Sequence, residues 1–308
     1  MSVDNSRTQI GSRPDLAALP NNNPIGYVGS QVLPVVRMFG KAGTYYYAAV
    51  QTDSAATTSR SAGAAPVAVT ISENSAAWSA GERIKRYKVP FEIVPLLGGI
   101  EKTDMIGGRA AKRSLDNALE TAQIAALVDG SGTSITSAIQ DGITDACDQV
   151  HRYNGRTGLV MDIGQFRWLR QQTEIKNLLS LSFGTMGAQQ SMSAPVAAMK
   201  LMFAGLLGVD EILVADDKFW PYTYRTTCAV VKLPPQGEDN VSYMTEPEYG
   251  RTMVYWPKDD GAIEVNSFPD DDIRSNVYDA ISWWSMEEMN SGAKVLLTIN
   301  TSGSTTGA

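Results

Sequence analysis

The chain has 308 residues, of which 43% are hydrophobic and 19% charged, enough apolar material for one elaborated domain or two ordinary ones with a real core. Its formal charge of −7 gives no bulk attraction to phosphate, because counterion release needs clustered Lys and Arg. Two cysteines outside any CxxC pair exclude a disulfide framework or zinc knuckle, and neither a signal core near the N-terminus nor a membrane-length apolar run is present.

Residues 1–23 are rich in Ser, Asn, Arg and Asp and lead into Pro24; they read as an arm without a core of its own. Val35, Val36, Met38, Phe39 and the run Tyr45-Tyr46-Tyr47 suit extended chain by β-branching and aromaticity. Residues 52–80 shift to Ser, Ala, Thr and Gly, with a short strand candidate at 66–72, before β-pattern resumes in Arg83-Ile84-Lys85-Arg86-Tyr87-Lys88-Val89. Two β segments flanking a small-residue excursion predict a long hairpin, marginal in water without a covering surface.

The clearest helix is 103–128, capped by Thr103 or Asp104 and stopped at Gly130-Ser131-Gly132. Gly107-Gly108 should weaken its first turn. A second helix is read from Ile135, Ile139, Ile143 and Val150. Residues 158–161 then form a buried strand, and Asp162 caps a helix bearing Phe166, Trp168 and Leu169. Ser193 and Pro195 open another helix through Leu207, followed by a strand at 211–215. This middle stretch is expected to form a compact subdomain. Beyond it the pattern is almost all β: 224–233, 251–256, 262–268, 273–284 and 293–299. Residues 273–289 also suit a helix, but their aromatic and β-branched content favours strand. The Ser/Thr/Gly tail 301–308 is expected to be disordered.

Little points to catalysis. His151 is the sole histidine, and Cys147 sits four residues before it, so a hydrolase would have to use that pair. A helix-terminal His favoured by the dipole accounts for it more simply, and no Gly-x-Ser-x-Gly elbow is present. Asp270-Asp271-Asp272 and Asp259-Asp260 lack the spacing of a calcium loop and read as turns. Gly130-Ser131-Gly132 follows a helix where a dinucleotide loop would follow a strand, and Gly107-Gly108-Arg109 lacks a triphosphate-loop ending. No catalytic residue, metal ligand or cofactor site is expected. The basic run divides between strand faces, with Arg83, Lys85 and Tyr87 on one and Arg86 and Lys88 on the other. The run could grip nucleic acid, but the chain's acidity favours pairing with acidic residues of a neighbouring subunit, and Tyr45 and Tyr47 are expected to join that inter-subunit contact.

The order of these pieces carries a resemblance. Residues 29–36 look like an arm-to-hairpin junction, 83–93 like a returning hairpin strand and 103–128 like a spine helix. Leu159-Val160-Met161-Asp162 before Phe166-Arg167-Trp168-Leu169, and Leu207-Gly208-Val209-Asp210 before Glu211-Ile212-Leu213-Val214, are similar to strand-helix and helix-strand steps of the tailed-phage major capsid protein family, the HK-ninety-seven coat fold. The resemblance implies an α+β fold: N-terminal arm (1–43), extended hairpin loop (44–94), peripheral-domain spine helix (95–132) and axial α/β domain (133–250). A C-terminal β region (251–300) would complete the last two.

It further implies a non-enzymatic shell protein that forms pentamers and hexamers around double-stranded DNA without sequence-specific binding. Portal, scaffold or decoration proteins are its implied partners, with no membrane. Its place would be the virion capsid, after synthesis in the bacterial host cytoplasm. An encapsulin-like compartment shell is the alternative within the fold; a hydrolase using Cys147 and His151 is the alternative outside it.

Overall fold

The computed structural model describes residues 11–12, 27–49, 73–135, 138–192, 196–235, 242–256 and 262–299. In chain order the elements are β1 (Gly11–Ser12), α1 (Gly29–Val32), β2 (Val35–Met38), β3 (Ala42–Ala48), β4 (Glu73–Ser79), β5 (Gly81–Pro90) and α2 (Ile100–Val128). Then come β6 (Thr133–Ile135), α3 (Ile139–Val150), β7 (Arg156–Asp162), α4 (Ile163–Gln171), α5 (Thr173–Met192) and α6 (Val196–Leu207). The last group is β8 (Glu211–Ala215), β9 (Thr227–Leu233), α7 (Ser242–Thr245), β10 (Gly250–Tyr255), β11 (Glu264–Asp270), β12 (Ser275–Glu288) and β13 (Lys294–Ile299).

The first sheet is built on β12. One edge of this 14-residue strand carries β5 along Ser275–Trp284, and the other carries β11 and then β10. β2 extends the sheet in parallel beyond β10, and β1 extends it beyond β11. The strand reading of this ambiguous segment is correct, because its alternate residues serve two faces. Tyr278, Ala280 and Trp284 pack with Val89, Val254 and Val265 under Ala111 and Leu115 of α2. Each large side chain buried there contributes about 1.5–3 kcal/mol. Gly107, near the start of α2, has a packing purpose: a Cβ there would lie 2.2 Å from the Tyr278 ring. The helix therefore rests on the sheet through backbone, and Tyr278 also donates its hydroxyl to Asp104 at 2.7 Å.

The second sheet has the order β6-β13-β9-β7-β8. One face buries Ile143, Val150, Phe166, Leu169, Leu179, Phe203 and Leu207 from α3 to α6. The other buries Val28, Val32, Ile124 and Leu127 from α1 and the last turns of α2. Its inner strands β7, β8 and β9 are buried along almost their whole length, as expected for a sheet covered on both faces. Asp162 caps α4 through a capping box with Gln165, whose amide also donates to the Arg225 and Thr227 carbonyls. One helix, α2, thus covers the first sheet with its early turns and the second with its last.

Several expectations change. α2 begins at Ile100, and Thr103 donates back to the Gly99 carbonyl instead of capping. α3 begins at Ile139, because Ile135 belongs to β6. The small-residue stretch contains a strand, β4, paired residue for residue with β3. α5 was not expected at all, and β1 gives the arm a strand on the first sheet. The strand candidate at 66–72, Ser193, Pro195 and the tail lie outside the described residues.

Candidate assembly surfaces

The β3–β4 ribbon stands on an apolar base. Tyr45 and Trp78 are buried with Val36, Tyr243, Met253 and Met289, and Tyr47 packs partly against them. The Tyr45 and Tyr47 rings lie 5.7 Å apart. Burial, reinforced by Glu287, holds the Tyr45 phenol protonated well above its ordinary range. Asn290 donates to the Ala48 carbonyl at 3.3 Å and to the Glu248 carbonyl at 2.7 Å, stitching the ribbon to the loop before β10. That loop holds a buried pair: Glu248 accepts from Arg251 Nε at 3.0 Å and Nη2 at 2.6 Å. The two predicted tyrosine contacts of the ribbon, Tyr45 and Tyr47, thus pack into the base of their own subunit, wholly and in part; Tyr46, outside that expectation, is 53% exposed.

The basic strand is placed differently from expectation. β5 does not return against β3; only Ala80 separates it from β4, and it pairs with β12 over ten residues, from Gly81↔Trp284 to Pro90↔Ser275. The predicted division of its faces holds: Lys85 and Tyr87 lie on the side of Val89 and α2, Arg86 and Lys88 on the other. Arg86 makes a two-pronged contact with Asp279, both distances 2.7 Å, and lies over the Phe268 ring. The acid expected from a neighbour is in this case an acid of the same chain. Arg83, Lys85, Tyr87 and Lys88 are exposed, and the cations guard the strand's open edge against indiscriminate pairing.

Beyond β5 the chain turns through residues 91–99 to two glycines at positive φ, Gly98 and Gly99. Phe91 donates its amide to the Arg274 carbonyl at 2.9 Å, so this turn and the β11–β12 turn lie together at one end of the first sheet. Leu96 is 84% exposed there, and Ile93, Ile100, Ile106 and Ile273 are each exposed.

The residues considered for catalysis are not assembled into a site. Burial and neighbouring Asp148 push the Cys147 thiol up, against thiolate formation. His151 closes α3 as its C-cap and lines an open cleft with Asp148, Arg152 and Lys294 that does not include Cys147. Cys228 is buried in the core, its thiol pushed to about 12. Among the described residues no group of three His, Cys, Asp or Glu could hold a metal ion, and no helix is long and apolar enough to cross a membrane.

No protein-family model matches the sequence, and no curated protein matches it. Solved structures do. A phage-related protein from Bordetella bronchiseptica RB50 aligns with TM-score 0.63 at 13% identity, over 94% of this chain and 97% of that one. A chain of Microbacterium phage Oxtober96 aligns with TM-score 0.56 at 9% identity, over 92% and 94%. A chain of the satellite phage P4 procapsid aligns with TM-score 0.51 at 8% identity, over 88% and 94%. In its mixed α+β fold, this chain resembles the capsid proteins of tailed phages.

Proposed function

We propose that this chain is the major subunit of an icosahedral shell, assembled through pentamers and hexamers around double-stranded DNA. The carrying observation is the shared fold, which runs over almost the full length of both chains. In this reading the first sheet with the early part of α2 is the peripheral domain. The second sheet with α3 to α6 is the axial domain, meeting its copies around five- and six-fold axes, and the β3–β4 ribbon lies over a neighbour. Many modest contacts in a closed shell add by multivalency, so no single interface has to be strong. The role is structural and non-enzymatic, in the virion capsid after synthesis in the host cytoplasm. Portal, scaffold or decoration proteins are its partners, and DNA is enclosed without sequence readout.

The test is electron microscopy of the purified protein beside a variant lacking residues 51–72, which leaves β3 and β4 to be joined by a short turn. Closed particles from the full chain, and open capsomers or free subunits from the variant, are expected. A full chain that stays monomeric at high concentration would overturn the reading.

A further inference from the structure

β5 bounds the first sheet: one edge pairs with β12, and among the described residues no strand pairs with the other. That open edge is lined with charge. Arg83, Lys85 and Lys88 are exposed, and no salt bridge among the described residues engages them, whereas Arg86 is answered by Asp279. Ile84 and Tyr87 are exposed between them. The end of the sheet beyond Pro90 has the opposite sign. Glu92 in the 91–99 turn, Glu101 in the first turn of α2, and Asp271 and Asp272 in the β11–β12 turn are all exposed. No salt bridge among the described residues engages these acids either. They outnumber the cations Lys102 and Arg274 at that end, and Ile93, Leu96 and Ile273 are exposed among them.

We propose that the open edge of β5 receives a second copy of this chain, whose acidic and apolar sheet end packs against Arg83, Lys85 and Lys88. The inference rests on the shell reading in needing self-association, and it names which surfaces meet. The subunit's own acids cannot serve. A strand advances about 3.3 Å per residue, so Lys85 and Arg83 lie roughly 17 and 23 Å back from Pro90, beyond the reach of the turns at that end. Pairing two β5 edges with each other fails for another reason. It would set cations against cations, and like charges directly opposite destabilise a strand pair. The contact is therefore heterologous: each copy offers its sheet end to one neighbour and its strand edge to another, and the series stops where a ring closes. Cations along an open edge repel most incoming chains, so the acids of the arriving surface select the partner. The exposed apolar residues on the two surfaces, Ile84 and Tyr87 on one, Leu96 and Ile273 on the other, leave water together.

The experiment is a charge swap in the full-length chain. One variant carries Arg83→Glu, Lys85→Glu and Lys88→Glu; the other carries Glu92→Lys, Asp271→Lys and Asp272→Lys. Sedimentation velocity gives the concentration at which half of each protein has left the monomer. Each variant alone is expected to need roughly tenfold more protein than the unaltered chain. An equal mixture should return to within about threefold of it, because the acidic edge of one variant then meets the basic end of the other. Recovery in the mixture shows that both variants fold, and circular dichroism checks each alone. Should a reversed strand misfold, Arg83→Ala with Lys85→Ala introduces no new charge and should still weaken association about threefold. Variants that associate as readily as the unaltered chain, or a mixture of folded variants no better than either alone, would overturn the contact and leave the shell reading standing. An unaltered chain that stays monomeric would overturn both.

Discussion

Replacing Gly107 with alanine asks whether α2 is truly seated on the first sheet through its backbone. The added methyl would lie 2.2 Å from Tyr278, whereas packed carbons sit about 3.5–4.0 Å apart, so helix or ring must retreat by roughly 1.3 Å. The ring has little freedom, being fully buried and tied through its hydroxyl to Asp104. Overpacking of this kind costs about 1–3 kcal/mol, while alanine gains about 1 kcal/mol over glycine as a helix former. A net loss of about 1–2 kcal/mol is expected near the upper end of that range. Gly205 in α6 has open space around its would-be Cβ, so Gly205→Ala should gain about 0.5–1 kcal/mol. Urea unfolding of unassembled subunits, followed by circular dichroism, compares the two midpoints at constant slope. If Gly107→Ala stabilised as much as Gly205→Ala, the close seating of α2 on Tyr278 would be refuted.

Arg251→Met should cost about 3–5 kcal/mol in the same assay, because it strands the buried Glu248, whose Oε1 already lacks a partner. Arg86→Ala should cost less than about 1 kcal/mol, since the Arg86 side chain is 49% exposed and solvent screens its pair with Asp279. Trp78→Ala removes an anchor of the ribbon base; limited proteolysis should then cut the ribbon early while the second sheet stays resistant. At pH 8 the thiolate fraction of Cys228 is on the order of one in ten thousand, so iodoacetamide should label it only as fast as the chain unfolds. Rapid labelling of the folded chain would contradict its placement.

Much of the order of elements was legible because strong local signals coincide with tertiary need. The Asp162 cap, the apolar runs of β7, β8 and β9 and the long face of α2 are such places. The misses share a cause. β4 is rich in Ala and Ser and becomes a strand by pairing with β3, which composition does not announce. α5 interrupts its periodicity with Gly184 and Gly187, and of its early residues Ile175 and Leu179 supply the core contact. β5 was recognised as a strand but given the wrong partner, because one strand's sequence does not name its neighbour. Among the predicted contact residues, the sequence could show that Arg86 is charged. That its acid lies 193 positions away in the same chain is a fact of topology.

The way β12 and β13 complete the two sheets has a consequence for synthesis. β5, made early, has its ladder on β12, and β6 has its on β13, so the first sheet and the β6 edge of the second stay open on the ribosome until residues 275–299 emerge, whereas β7, β8 and β9 already pair among themselves. Such long sequence separations slow folding, and a nascent chain cannot present a finished surface to its siblings. The unpaired edge of β5 is then a clustering hazard during synthesis, and a chain stopped at residue 274 should lose the first sheet to protease while β7 to β9 with α3 to α6 resist longest.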